Sequence, residues 1–235
     1  MNYEIEVKPV GKTPKSARTK DRIYHSALDI LAERGFENAT IRDICKHSAV
    51  SIGTFYSYFN SKNDILFEFF RNMDNHFTKD LAPKITGETY MDRIRCYFKL
   101  YSAMLMDSSF DTICMLFSTS NIWFARTRPM QKVLVGIIAE GQEAGEISLR
   151  MPATEICEYL FVLVRGLVFQ WCSVNAAFEL WTRTDLYIAT AMSSLLTEPL
   201  AYPEVKEGII RRDPSKPPAM SEPSDPDMTE IRGNK

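Results

Sequence analysis

Residues 40–66 read TIRDICKHSAVSIGTFYSYFNSKNDIL, and the spacing within this stretch predicts two short helices joined by a tight turn, then the start of a third. Thr40 opens the first: its hydroxyl can cap orphan amides, and Asp43, three residues on, favours the positive end of a helix. Ile41, Ile44 and Cys45 then fall on one face. The turn lies at His47 to Val50, and Ser51 caps a second helix that runs to Phe59. On it, Ile52, Phe55, Tyr56 and Phe59 are expected on one side, with Ser51, Thr54, Ser57 and Tyr58 on the other. That outer face is short, polar and uncharged. Ser61, Lys62, Asn63 and Asp64 repeat the cap-plus-acid signal and open a longer helix. Two helices, a four-residue turn and a polar solvent-facing helix describe a helix-turn-helix.

The run from Ile44, Cys45, Lys46, His47, Ser48 and Ala49 through Val50, Ser51, Gly53, Thr54, Phe55 and Tyr56 to Phe59, Ser61 and Lys62 resembles the N-terminal domain of the TetR family of transcriptional regulators. With the helix that precedes it, the resemblance covers about a fifth of the chain. Ala49 departs from the pattern, which usually has glycine there. A left-handed conformation at Ala49 would cost on the order of 1 kcal/mol.

Composition bounds the rest. The chain has 235 residues, 45% hydrophobic and 25% charged, enough for a small domain and a larger one with its own core. No uninterrupted apolar run approaches the roughly 20 residues that span a bilayer, and the N-terminus lacks signal-peptide character. A cytoplasmic protein with no membrane partner is expected. The cysteines, Cys45, Cys96, Cys114, Cys157 and Cys172, form no CxxC pair, and most sit on apolar helical faces. Buried reduced thiols are expected there, with no disulfide or zinc site. His25, His47 and His76 have no ligand spacing. Neither a metal nor a cofactor is expected.

Net charge is −2, and from Thr19 to Leu66 six basic residues (Lys20, Arg22, Arg34, Arg42, Lys46, Lys62) balance six acidic ones (Asp21, Asp29, Glu33, Glu37, Asp43, Asp64). The inference of DNA binding therefore rests on the motif. Ahead of it, Lys8, Lys12, Lys15 and Arg18 form either a basic arm or a solvated leader.

Along the chain, residues 1–17 read as a flexible basic arm, with Pro9, Gly11 and Pro14. A first helix from about Thr19 to Arg34 carries Ile23, Ala27, Ile30 and Leu31 on one face and stops at Gly35. Residues 18–66 form the helix-turn-helix DNA-binding domain and 67–198 a ligand-binding and dimerisation domain. The fourth helix, Ser61 to about Lys79, links the two. Further helices are expected at about 90–106, 110–117, from Pro129 to 141–145, from Pro152 to about Asn175, and at 184–196, with an extra turn at 121–126. The fold class is all-α, with about nine helices. From Pro199 onward, seven of the twelve prolines mix with Ser, Asp and Glu, so 199–235 reads as a disordered tail.

The expected DNA-binding residues are Thr40, Ser51, Gly53, Thr54, Tyr56, Ser57, Tyr58 and Lys62. Hydroxyls on the outer face can reach base edges or phosphates, and the resemblance implies that Tyr56 and Lys62, with Thr40 at a helix N-terminus, hold phosphate. The competing reading is that Tyr56 and Tyr58 only pack the small domain. In the larger domain the resemblance implies a small-molecule pocket. Phe69, Met73, Phe98, Tyr101, Met104, Phe117, Trp123, Phe124, Phe161, Arg165 and Phe169 are its candidate lining, suited to an apolar or aromatic effector. Each of these apolar residues could equally be ordinary core. Arg165 interrupts YLFVLVRGLVFQW, which requires a partner in the same subunit, one across a dimer interface, or an anionic ligand.

The helices around Leu160–Trp171 and 184–196 are too apolar for a monomer surface, and the resemblance implies a homodimer through these eighth and ninth helices; an unusually central helix in a monomer would show the same composition. Two functions stand against each other. One is a homodimeric, ligand-responsive regulator, a repressor, that binds a near-palindromic operator and is released by a small effector. The other is an all-α enzyme with an incidental helix-turn-helix-like segment, against which stands the lack of any catalytic constellation or phosphate-cradling glycine loop.

Overall fold

The computed structural model describes residues 13–118 and 128–198. Among them are α1 (Pro14–Asn38), α2 (Ile41–His47), α3 (Ile52–Tyr58), α4 (Lys62–His76), α5 (Tyr90–Met106), α6 (Phe110–Ser118), α7 (Pro129–Glu143), α8 (Ala153–Ser173) and α9 (Leu180–Ser193). The described residues contain no strand, only an isolated bridge between Ile147 and Leu196. The all-α expectation holds. The predicted extra turn at 121–126, Trp123, Phe124, residues 1–12 of the arm and the 199–235 tail lie outside the described residues.

The largest boundary error is at the start of α1, which begins at Pro14 and not Thr19. Thr13 Oγ1 accepts from the Ser16 amide at 3.3 Å, and Pro14 occupies the first turn, where a missing N–H costs nothing. Residues 14–17 are therefore helical, not part of a flexible arm. The extra turn matters because the Ser16 hydroxyl lies 3.0 Å from the Tyr58 hydroxyl at the end of α3. Gly35, at φ 75°, breaks α1 at the predicted place, a conformation that glycine adopts without a Cβ penalty.

Thr40 and Asp43 form a reciprocal capping box on α2, and Arg34 pairs with Asp43 at 2.9 Å. Ser48 closes α2 by donating to the Ile44 carbonyl at 2.7 Å. Ala49 does take the left-handed conformation, φ 51°. Its neighbours hold it there, since the Val50 amide donates to the Cys45 carbonyl at 3.0 Å. Ser51 then caps α3, accepting from the Thr54 amide at 3.0 Å. Ile23, Ala27 and Leu31 of α1, Ile44 of α2, Phe55 of α3 and Ile65 of α4 are fully buried in the common core. A ring such as Phe55 contributes roughly 1.5–3 kcal/mol by leaving water.

Helix α4 ends at His76 and passes into a π-helical turn, Phe77–Leu81, then a 3₁₀ turn, Ala82–Lys84. Beyond it, a Thr89–Asp92 capping box starts α5. α5 packs on α7 and α9, α8 on α6, α7 and α9, and α1 lies along α6. Arg95 of α5 grips Asp185 of α9 through two bonds of 2.6 Å, and Tyr97 donates to the Met130 carbonyl at 3.0 Å. Helix α9 starts at Leu180, four residues before the expected Thr184, because Glu179 caps it through the Trp181 and Thr182 amides. Helix α8, 21 residues long, is the one described helix long and apolar enough to cross a bilayer. Ile156, Leu160, Phe161, Val164, Leu167 and Val168 are buried within the fold, which is how a central core helix acquires that composition.

The cysteine expectation needs correction. Only Cys45 and Cys157 are buried, and Cys96, Cys114 and Cys172 are half-buried.

Candidate nucleic-acid interface and regulatory core

Helix α3 is two turns long, and only Phe55 and Phe59 at its end point fully into the core. Ser51, Ile52, Gly53, Tyr56 and Ser57 are exposed, and Thr54 and Tyr58 are half-buried. Two sequence assignments change. Ile52 and Tyr56 do not join the inner face, being 44% and 45% exposed, while Tyr58 leaves the outer face to pack beside the core and meet Ser16. In a helix of 3.6 residues per turn, Tyr56 and Tyr58 lie about equally far, roughly 80°, to either side of the Phe55–Phe59 direction. The first turn of α1 covers the Tyr58 side.

The exposed hydroxyls are ordered. Ser51 Oγ lies 2.8 Å from Thr54 Oγ1, and Ser57 donates to the Thr54 carbonyl at 2.6 Å, which leaves acceptor capacity on each for a partner. Gly53 has negative φ and an open position: a Cβ built there meets only Ser51 Oγ, at 3.8 Å. Among the described residues nothing requires glycine here, although in a helix it costs about 1 kcal/mol relative to alanine.

Thr40 is exposed at the N-terminus of α2 with its hydroxyl in the capping box. Bonds from Thr40, with Arg34 nearby, hold the Asp43 carboxyl below the usual carboxylate range. Lys62 is more integrated than a surface contact. Its Nζ donates to the Phe36 carbonyl at 2.5 Å and the Ala39 carbonyl at 2.7 Å and lies 4.7 Å from the Phe36 ring centre. It binds α4 to the end of α1 beyond its break at Gly35 and keeps one N–H for another acceptor.

Along α4 the fastenings differ. On the N-terminal half, buried Lys20 of α1 pairs with Glu68 at 2.9 Å, and Arg71 joins the same carboxylate. On the C-terminal half, buried Asp74 accepts from Arg128 Nε at 3.0 Å and from the Met130 amide at 3.4 Å, with the Arg128 guanidinium over the Phe70 ring. Sequence reasoning overlooked both pairs. The available signal was an acid, Asp74, on the apolar side marked by Phe70, Met73 and Phe77.

Of the candidate effector residues, Phe98, Tyr101 and Phe161 come together. Their ring centres lie 5.7 to 6.4 Å apart, and Tyr97 joins them at 5.1 Å from Phe98. Met104 and Phe69 are buried, and Met73 and Phe117 half-buried. Arg165 places its guanidinium 5.3 Å from the Phe161 ring centre. Burial lowers its pKa, opposed by Tyr101 and Glu158. Burial likewise raises the Tyr97 and Tyr101 phenols. Phe169 stands apart: it is 55% exposed and lines a crevice of 340 Å³ with Phe36, Cys114 and Cys172.

Residues 23–69 match the model of the family described as bacterial regulatory proteins, tetR family. The fatty acid metabolism regulator protein of Bacillus subtilis (strain 168) is 24% identical over 184 residues, covering 74% of this chain and 94% of its own. The crystal structure of the transcriptional regulator FadR from Bacillus subtilis in complex with stearoyl-CoA superposes with a TM-score of 0.64 at 20% identity, over 74% of this chain and 98% of that one. That of the Thermus thermophilus repressor FadR in complex with lauroyl-CoA does so with a TM-score of 0.56 at 18% identity, over 78% and 98%. The helix-turn-helix of this chain with its supporting helices, residues 23–69, is that of the tetR family of bacterial regulatory proteins.

Proposed function

We propose that the protein is a homodimeric repressor of transcription, with the α3 helices of two copies set about 34–36 Å apart in successive major grooves of a near-palindromic operator. The observation that carries this reading is the outer face of α3, where Ser51, Gly53, Tyr56 and Ser57 are exposed together. Its glycine answers no need among the described residues and lets a partner backbone approach closely. Ser51, Thr54 and Ser57 offer hydroxyls to base edges. Tyr56, Thr40 and the remaining N–H of Lys62 hold phosphates. Tyr58 acts indirectly by seating the first turn of α1, so the DNA-binding unit starts at Thr13 rather than residue 18.

The dimer forms through α8 and α9. Tyr159 and Val162 of α8 and Tyr187 of α9 are exposed, and a groove of 370 Å³ runs between the two helices, lined by Tyr159, Leu163, Leu186 and Tyr187. An apolar groove on one copy can take ridges from its mate about a twofold axis.

The effector has a largely apolar body and binds around Phe98, Tyr101, Met104 and Phe161, with Arg165 beside an anionic group. A fatty acyl thioester fits this description, the class present in the two FadR complexes. Binding there shifts the C-terminal half of α4 through the Asp74–Arg128 pair while Lys20–Glu68 and Lys62 keep its N-terminal half on α1. The spacing of the two α3 helices then changes, and operator affinity falls by the difference in effector affinity between the two states.

Retardation of DNA from upstream of the protein's own gene tests this reading. Specific binding that weakens with salt and is relieved by a long-chain acyl-CoA is expected. Equal affinity for that DNA and for random sequence would overturn it.

A further inference from the structure

Three features remain outside this account: the crevice bounded by Thr89, Glu146 and Glu198, the Lys15–Arg18–Arg22 strip on α1, and the two thiols Cys114 and Cys172. The thiols carry an inference furthest.

Cys114 lies on α6 and Cys172 near the end of α8, 58 positions apart in sequence, yet α6 packs on α8 and brings the two thiols near enough for each to influence the other's acidity. Both are half-buried, so neither is sealed from solvent. Both line the 340 Å³ crevice, whose opposite wall is Ala32, Gly35 and Phe36 at the break in α1. Burial raises both thiols, Cys172 to about 12, so at neutral pH the pair consists of two S–H groups. Peroxides and alkylating agents attack through thiolate and find little of it here. A reagent that condenses with two neutral thiols at once suits the site better.

We infer that Cys114 and Cys172 form a dithiol binding site for trivalent arsenicals, which bridge the two sulfurs and occupy the crevice against Phe36. The step balances without an oxidant. With an aryl arsenoxide, two S–H bonds and the As–O bond break, two S–As bonds form, and one water leaves carrying both protons; arsenic remains trivalent. Two thiols on packed helices that line one crevice are placed to chelate one arsenic, and thiolate is the soft ligand such a centre prefers.

The site has a route to the DNA-binding helices. Phe36 forms part of the crevice wall, and its carbonyl, with that of Ala39, holds Lys62 at the head of α4. A group filling the crevice displaces Phe36 and loosens this fastening. The consequence for operator affinity rests on the function proposed above; the binding itself does not.

Phenylarsine oxide and the full-length protein provide the test. Intact mass should show one phenylarsenic group per chain, with three of the five thiols still titratable after denaturation. An added small dithiol should remove the group, whereas a monothiol should not. Cys114→Ser and Cys172→Ser, or the corresponding alanine variants, should each abolish the adduct, and Cys96→Ser should keep it. No adduct on the wild type, or one that survives in both Cys114→Ser and Cys172→Ser, would overturn the site. In parallel, DNA from upstream of the gene should be retarded by untreated protein and at least tenfold less well by the adduct. Unchanged retardation by a fully labelled protein sinks the regulatory consequence alone. Failure of the untreated protein to bind DNA counts against the proposed function, and the mass result still decides the dithiol.

Discussion

On α3 the residues turned to solvent include Ser51, Gly53 and Ser57, whereas α8 turns out Tyr159, Val162 and Phe169, the last two more than half exposed. Both faces lack the charge that usually covers a helix in water. They differ in what could satisfy them. Hydroxyls with spare lone pairs and a bare glycine lose nothing by staying wet until a hydrogen-bonding surface arrives. Apolar side chains on a two-helix face cost free energy for as long as they remain exposed, at about 25 cal/mol per Å². The first pattern suits a partner that comes and goes, and the second suits a permanent one.

The inner side of α3 gives the sharpest contrast with its outer side. Phe55→Ala should lower unfolding free energy by about 3–5 kcal/mol, since it empties a fully buried site. Thermal or urea unfolding measures this; a loss as small as that of a surface substitution would mean α3 is not anchored through Phe55.

Next in size is Val162→Asp. Val162 is 56% exposed in the single chain, so the subunit should fold normally. In the proposed dimer the charge would enter the interface twice about the twofold axis, at a cost of several kcal/mol. Sedimentation should find a monomer at concentrations where the wild type is dimeric. A variant that stays dimeric would remove this part of α8 from the interface.

Lys62→Ala separates a purely DNA-facing lysine from one that also fastens the fold. Two carbonyls lose their ammonium donor, so stability should fall by about 1–3 kcal/mol along with DNA affinity. Lost binding at unchanged stability would restrict Lys62 to the phosphate role its position in the motif implies.

Gly53→Ala should show the smallest effect, and one of opposite sign. With room for a Cβ, the variant should gain up to about 1 kcal/mol of stability while binding the operator more weakly. A more stable protein with undiminished affinity would show that nothing approaches this face closely.

Much of the fold was legible along the chain because its signals are local. Thr40 with Asp43, Ser51, Gly35, and Thr89 with Asp92 mark helix ends through bonds spanning three or four residues, and the boundaries of α2, α3 and α5 follow from them. The misreading at the start of α1 was also local: Thr13 and Pro14 form a valid start signal, outweighed in the reading by the surrounding Pro, Gly and Lys residues. The outer hydroxyls of α3 were likewise readable from periodicity.

Sequence periodicity alone thus established a helix-turn-helix on an all-helical body and the polar character of its exposed helix. It had no means of choosing between Tyr56 and Tyr58, which flank the buried direction of α3 symmetrically. Tertiary structure decided this by laying the first turn of α1 over Tyr58, with Ser16 at 3.0 Å, and leaving Tyr56 45% exposed. The same holds for Asp74 with Arg128, Lys20 with Glu68, and Cys114 with Cys172. Each joins residues 48 or more positions apart, and no periodicity within one helix encodes which residue of another it will meet.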